Sequence, residues 1–396
     1  MLDLNRYINL KPQHRGYHTL ILVSLLLAIL GLYAAYVMEH AGHHITGMNN
    51  HIVWGLPHVF AIALIVTASG ALNGASLSSV FGLNILKPYA RFSVVLAMCS
   101  LVGGLLVLVL DLGRPDRLIV AMTTYNFRSV FAWNIFLYTG FLAIGVVYLW
   151  MMMEKRLHRY VTTVGRLAFA WRLILTTATG SIFGFLVGRN ALDSALLAPL
   201  FIALSLAMGT ALLLVALYAL AHWQRDELDT AIVQSLKRLL VWFLIALVYF
   251  SVVQHITNLY VAEHHGSERF TLLGPLSGIF WLGHVVLGVA LPIGLLVLGS
   301  DSARKTLCAS VATMLGGGAL IYVIVVGSQS TPQRLFPGHT VLASRFGDAG
   351  FAPYRASHWE WGLGLGGIAI AILLCLLILR ILPLIPASPV RVKAGD

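Results

Sequence analysis

The sequence predicts an all-α integral membrane protein with ten spanning helices. Three observations predict it. Of the 396 residues, 59% are hydrophobic and only 10% are charged, against about 25% charged in a soluble domain. The mean hydropathy is +0.86, so a soluble fold has no way to hide this apolar surface. The apolar residues also come in continuous runs and do not alternate, which selects helices over a barrel.

A spanning helix needs about 20 apolar residues. Ten segments qualify: 17–38, 53–81, 91–112, 130–152, 167–188, 195–221, 237–262, 273–299, 305–327 and 361–384. The first lacks a small-x-small cleavage site, so it reads as a membrane span and not as a removable signal. The whole chain, 1–396, reads as one polytopic membrane domain. Gly70/Gly74, Gly180/Gly184/Gly188 and Gly362/Gly366 have the four-residue spacing that lets helices approach closely.

The net charge of +11 raises nucleic acid as a partner. No basic stripe with interleaved aromatics is present, which argues against it. Basic residues of membrane proteins collect on cytoplasmic loops and meet anionic lipid. With the N-terminus inside, seventeen Lys and Arg fall on the inner side and eight on the outer, so both termini are expected in the cytoplasm. Every lysine lies on the inner side, while the outer side uses only arginine, the better residue for geometrically defined ion pairs. Arg172, about two turns into the fifth span, is expected to snorkel to the inner surface.

The longer connections, 39–52, 113–129 and 328–360, lie outside. The last is punctuated by Pro and Gly and reads as an ordered irregular loop, with Trp359 and Trp361 suited to the interface belt. Cys99, Cys308 and Cys375 include no Cys-x-x-Cys, so this chain cannot supply four thiolates to an iron–sulfur cluster or a zinc site.

Which chemistry can such a chain carry? None of its fifteen acidic residues sits at the middle of a span, which argues against a pump or ion-coupled transporter. There is no P-loop, no His-Glu-x-x-His and no nucleophile elbow. The titratable and hydrogen-bonding residues crowd one face instead. Asp111, Arg114, Tyr125, Asn126, Arg128, His255, Asn258, Tyr260 and Glu263 map to outer ends of spans. His58 begins the second span from that side, and Trp133, Asn134 and Tyr138 lie in the outer half of the fourth.

A quinone needs an apolar slot, one or two hydrogen-bond donors at its carbonyls and a titratable group to exchange protons. His, Asp, Tyr and Asn at a membrane border fit that need. Plainer readings stand beside it. Asp111 and Arg114 also read as a helix-end ion pair, and His58 as a partner for a backbone carbonyl. His255 and His284 invite a b-type haem, although they lie at different depths in their spans. The histidine pairs in "AGHHI" and "AEHHG" read as solvated loop residues, and no metal site is assigned.

"LVLDLGRPDR" followed by "YNFRSVFAWNIFLYTGF" resembles the signature of the polysulfide reductase NrfD-type membrane subunits. "WGLPHVF", "SGALNGASLSSVFG", "RLFPG" and "FGDAGFAPYRASHWEWGLGLGG" are similar to its longer branch, which contains DsrP of the sulfur-dissimilation complex and HybB of a membrane-linked nickel–iron hydrogenase. The resemblance implies two four-helix bundles, 53–188 and 195–327, with 17–38 and 361–384 as flanking helices and 328–360 as a periplasmic loop. It implies a quinone-reactive subunit of an oxidoreductase complex in a bacterial inner membrane, not an enzyme alone. Menaquinone or ubiquinone would be its exchangeable substrate, and it would carry no bound cofactor. A periplasmic ferredoxin-like subunit with four-iron clusters would be the redox partner, in sulfur metabolism or, on the other branch, with a hydrogenase. His58 and Asp111 are then expected to bond quinone and exchange protons. Arg114 and Arg128 are expected to hold Asp111 ionised, and Tyr125, Asn126, Trp133, Asn134 and Tyr138 to line the slot.

Overall fold

A computed structural model describes residues 7–12, 14–82, 84–299, 301–331 and 351–387. Most of the outer loop 328–360, including "RLFPG", lies outside the described residues. Among the described residues ten helices are long and apolar enough to cross a membrane. They are α1 (Arg15–Ala41), α2 (Leu56–Val80), α3 (Ile85–Leu110), α4 (Val130–Met153), α5 (Lys155–Gly184), α6 (Leu197–Gln224), α7 (Thr230–Tyr260), α8 (Ile279–Val297), α9 (Ala303–Ser330) and α10 (His358–Ile381). The chain is an integral, multi-pass membrane protein.

Helices α2 and α6 form the centre. α2 packs on α3, α6 and α10, and α6 packs on α2, α5, α7 and α9. α1 and α10 lie together at the periphery, and α10 also meets α3. The two chain ends meet on one face, where Tyr7–Ile8 pairs antiparallel with Ile385–Pro386. These two segments therefore share a side of the membrane.

Apolar side chains gain little from meeting one another in lipid, so close backbone approach must hold spanning helices together. Where α2 crosses α6, a Cβ on Gly70 would lie 1.7 Å from the Ser205 carbonyl oxygen. At the α1–α10 crossing, a Cβ on Gly31 would lie 2.6 Å from the Gly366 Cα.

The structure corrects one expectation. Arg172 does not snorkel; it is 2% exposed. Its guanidinium donates to Asn73 Oδ1 at 2.6 Å and to the Ser69 carbonyl at 3.0 Å. The Asn73 amide donates to Thr210 Oγ1 at 2.9 Å, so the network reaches from α5 through α2 to α6. The reason is the start of α5. Arg156, Arg159 and Arg166 hide the beginning of this span from a hydropathy reading, and the helix extends from Lys155 and not from 167. Arg172 thereby lands mid-span, too deep to reach the inner surface.

Gly70→Ala should destabilise the protein by about 1–3 kcal/mol through overpacking, read as a lower melting temperature in detergent. Gly318→Ala in α9, where a Cβ meets nothing within 4 Å, should leave it unchanged or higher.

Candidate functional site

The site is built on the face opposite the paired segments 7–8 and 385–386, where segment 42–55 folds over the ends of α2, α9 and α10. Ser357 and Glu360 cap α10 reciprocally, but the Glu360 carboxylate does more than cap. It is fully buried. Its Oε2 accepts from the amides of Ser357 (2.7 Å) and Gly47 (2.8 Å), and its Oε1 accepts from the Tyr354 hydroxyl at 2.5 Å. That hydroxyl accepts in turn from the Leu56 amide at 2.6 Å, at the start of α2. Burial first, and then the neighbouring carboxylate, pushes the Tyr354 hydroxyl well above the ordinary tyrosine range.

Gln329 at the end of α9 holds the next stretch. Its Oε1 accepts from the amides of Val53 (2.9 Å) and Trp54 (3.1 Å), and its Nε2 donates to the Trp54 carbonyl at 2.9 Å. Arg189 donates to the carbonyls of His51 and Gln329, each at 3.4 Å. A loop pinned this way can place a side chain with the definition of a helix.

The side chain so placed is His43, and it meets Asp111. Asp111 stands one residue past the end of α3, where the helix dipole disfavours a carboxylate. Its side chain is 1% exposed. A buried carboxylate there needs compensating partners, and two imidazoles face it. His58 Nδ1 lies 2.7 Å from Asp111 Oδ2. His43 Nε2 lies 3.8 Å from Oδ1 and donates to the Asp111 carbonyl at 3.2 Å. His58 approaches at a charge-assisted distance but off the hydrogen-bonding direction, so Nδ1 and both carboxylate oxygens lack a well-aligned partner. The triad is held by electrostatics and keeps hydrogen-bonding capacity in reserve.

Burial pushes the Asp111 carboxyl up, but His43 and His58 outweigh it and hold the group below the usual carboxylate range. The nearby Asp111 is the largest influence on His43 and, against burial, raises its imidazole above the ordinary histidine range. Gly113, at φ +69°, turns the chain beneath His43, and a Cβ there would come within 3.2 Å of the ring.

An aromatic shelf adjoins the triad. The Trp54 ring stacks on His58 with centroids 6.1 Å apart and meets Phe131 and Phe183 at 5.9 and 5.8 Å. One turn after Phe131, Asn134 is buried. Its amide donates to the Val130 carbonyl, and its Oδ1 has no partner. Tyr138, a turn further along α4, is buried as well.

The other expected residues stand on the exposed rim. Tyr125 stacks on Phe136 at 4.4 Å. Asn126 Oδ1 accepts from the Arg128 amide at 3.1 Å, and Trp133 Nε1 donates to the Phe127 carbonyl at 2.8 Å. The expected clamp of Asp111 by arginines is not formed. Arg114 is exposed and pairs with Asp116, Nε to Oδ1, at 3.0 Å. No ion pair joins Arg114 or Arg128 to Asp111 among the described residues; a solvated guanidinium satisfied by an adjacent carboxylate gains nothing by entering a buried site. His43 takes that place. The sequence reads it as a solvated loop histidine, and no local pattern links it to a residue 68 positions away. His255 and His284 lie in the other half of the molecule. His255 Nδ1 is 2.5 Å from Glu268 Oε1, and His284 Nδ1 is 3.4 Å from the Gly316 carbonyl.

Residues 44–333 match the model of the polysulphide reductase NrfD family, and the chain belongs to that family. It is 28% identical over 381 residues, 95% of each chain, to the Hdr-like menaquinol oxidoreductase integral membrane subunit of Archaeoglobus fulgidus. It is 30% identical to a putative dimethyl sulfoxide reductase membrane subunit of Halobacterium salinarum, covering 94% of this chain and 93% of the relative. It is also 24% identical to a selenate reductase subunit of Mesobacillus selenatarsenatis, covering 90% and 92%.

Because His43 owes its raised pKa to Asp111, the pairing contributes stability below the ordinary histidine pKa of about 6.5 and loses it as pH rises through the raised value. In Asp111→Asn the pH at which diethyl pyrocarbonate begins to modify His43 should fall, since only the neutral imidazole reacts. An unchanged modification profile would show that Asp111 does not charge His43.

Proposed function

We propose that this member of the NrfD family is the quinone-reactive membrane subunit of a multi-subunit redox complex and not an enzyme alone. One observation carries the reading: a buried carboxylate at the hydrocarbon border, held between two imidazoles, with its oxygens lacking aligned partners. A quinone headgroup is a flat apolar ring with opposed polar oxygens. Trp54 and His58 offer the stacking surface. His58, whose Nδ1 faces Asp111, keeps Nε2 for a quinone oxygen. Asn134 and Tyr138 belong to the slot, and Arg114, Tyr125, Asn126, Arg128 and Trp133 to its outer rim.

Oxidation of one quinol to quinone releases two electrons and two protons. The two protons leave one at a time: His58 accepts each with Asp111 compensating its charge, and part-exposed His43 passes each to outer water before the next is taken. Quinone reduction runs the same route in reverse. The electrons go to or come from a partner, because three cysteines are too few for a four-iron cluster. A ferredoxin-like iron–sulfur subunit docked on the periplasmic face fits that need.

Menaquinone is the first choice of substrate, because the Archaeoglobus relative is named a menaquinol oxidoreductase; ubiquinone is the second. The charge distribution supports cytoplasmic termini, and the resemblance of the motifs a bacterial inner membrane. The helix neighbours support a first bundle of α2–α5 and a second of α6–α9, with α1 and α10 flanking. The motifs favour a DsrP-like place in dissimilatory sulfur metabolism over a HybB-like place beside a nickel–iron hydrogenase. The proteins that co-purify with the chain decide between those two.

Asp111→Asn should leave assembly of the complex intact and slow quinol turnover by roughly 100-fold, the lower range for loss of a general acid–base group. Unchanged turnover with a soluble quinol analogue would remove the proton role. In the same assay Arg114→Gln should stay within a few-fold of the unaltered protein, since its partner is Asp116.

A further inference from the structure

A second histidine–carboxylate pair stands in the other half of the molecule, and the proposed quinone chemistry does not use it. His255 lies near the outer end of α7. Glu268 follows in a short helix, His265–Leu273, in the outer connection to α8. The two side chains are 20% and 2% exposed, against 16% and 1% for His58 and Asp111. In both pairs the carboxylate holds Nδ1, so Nε2 of the imidazole remains for a ligand. The Glu268 carboxylate is organised further by the Asn258 amide, which donates to Oε2 at 3.0 Å. Asn258 Oδ1 is met in turn by Gln254 Nε2 at 3.3 Å and His264 Nδ1 at 3.2 Å.

The pair opens toward lipid. Val252 and Ile256 beside His255 are 49% and 60% exposed, as expected of a hydrocarbon-facing flank. The Phe280 ring packs against His255 with centroids 4.7 Å apart and supplies an aromatic wall. Phe280 belongs to Ile279–Ala290, which is wound as a π-helix. That winding is rare and concentrates at functional sites. An ionisable pair set against an apolar, exposed helix flank at a span's end is costly unless it serves a ligand.

We infer that His255 and Glu268, with Phe280 as the ring wall, form a second quinone-binding site, reached laterally from the lipid. The choice of ligand class rests on the quinone reading of the His58–Asp111 pair; the existence of a second site rests on the geometry of this one. Neutral His255, its Nδ1 proton held on Glu268, accepts a hydrogen bond at Nε2 from a quinol hydroxyl. Protonated, it donates to a quinone carbonyl. No electron transfer is assigned to this site.

Photolabelling the whole complex in lipid nanodiscs with a ring-azido naphthoquinone tests it. The expected result is two labelled regions, α2–α4 and α7–α8, both suppressed by excess unlabelled naphthoquinone. His255→Leu should abolish the α7–α8 label at least tenfold and spare the other. Label confined to α2–α4 overturns the second site and leaves the first. Label confined to α7–α8 supports the second site and removes the first, and absence of label at both removes both. An α7–α8 label that survives both competition and His255→Leu is lipid-phase background and overturns the site. So does a Soret band in the purified protein that is lost in His255→Ala, which would assign this histidine to haem. Should His255→Leu fail to assemble, competition in the unaltered complex decides.

Discussion

Hydrocarbon offers no hydrogen bonds, and that constraint orders this molecule. Every polar group within the membrane must find its partner inside the protein. The chain meets the constraint in two ways. At mid-depth it tolerates one guanidinium, Arg172, and surrounds it with Asn73 and the Ser69 carbonyl in place of a carboxylate. Beyond the ends of the spans, on the face opposite the paired chain segments, it places the buried carboxylates of the described residues, Asp111, Glu268 and Glu360. There the short loops can supply imidazoles, amides and hydroxyls that spanning helices alone could not.

The three carboxylates are used differently, and their partners show why. Glu360 accepts from two backbone amides and a tyrosine hydroxyl. Those contacts make it a structural tie. It ties the start of α10 to segment 42–55 and, through Tyr354, to the start of α2. Asp111 faces only imidazoles, which can gain or lose a proton near neutrality, and it keeps lone pairs without aligned partners. The surroundings of one buried carboxylate thus depend on another: Glu360 and Gln329 position the loop that brings His43 to Asp111. Glu268 faces an imidazole, as Asp111 does, and also accepts from the Asn258 side-chain amide.

Much of this was legible in the sequence. Asp111 stood out as a charge ending a long apolar run, and His58 as an imidazole near the start of another. Helix polarity alone put both on one face. The arginines misled because proximity in sequence suggested proximity in space. Arg114 is three residues from Asp111, yet it satisfies Asp116 in solvent. His43 is 68 residues away, yet it shares the buried site. Arg172 misled for a related reason: three arginines concealed where its helix begins, and depth in a membrane is counted from that point.

Composition and apolar run length were enough to determine the class of protein, the number of spans and the face on which its chemistry gathers. These follow from transfer of side chains out of water, a property each segment carries by itself. Only the tertiary structure decided which charges pair. Ion pairing at the site depends on loop paths set by Glu360, Gln329 and Arg189, which reach partners 138 to 313 residues away in the chain. It depends also on close helix crossings such as Gly70 against Ser205. No local pattern encodes either, because each contact is a relation between two segments.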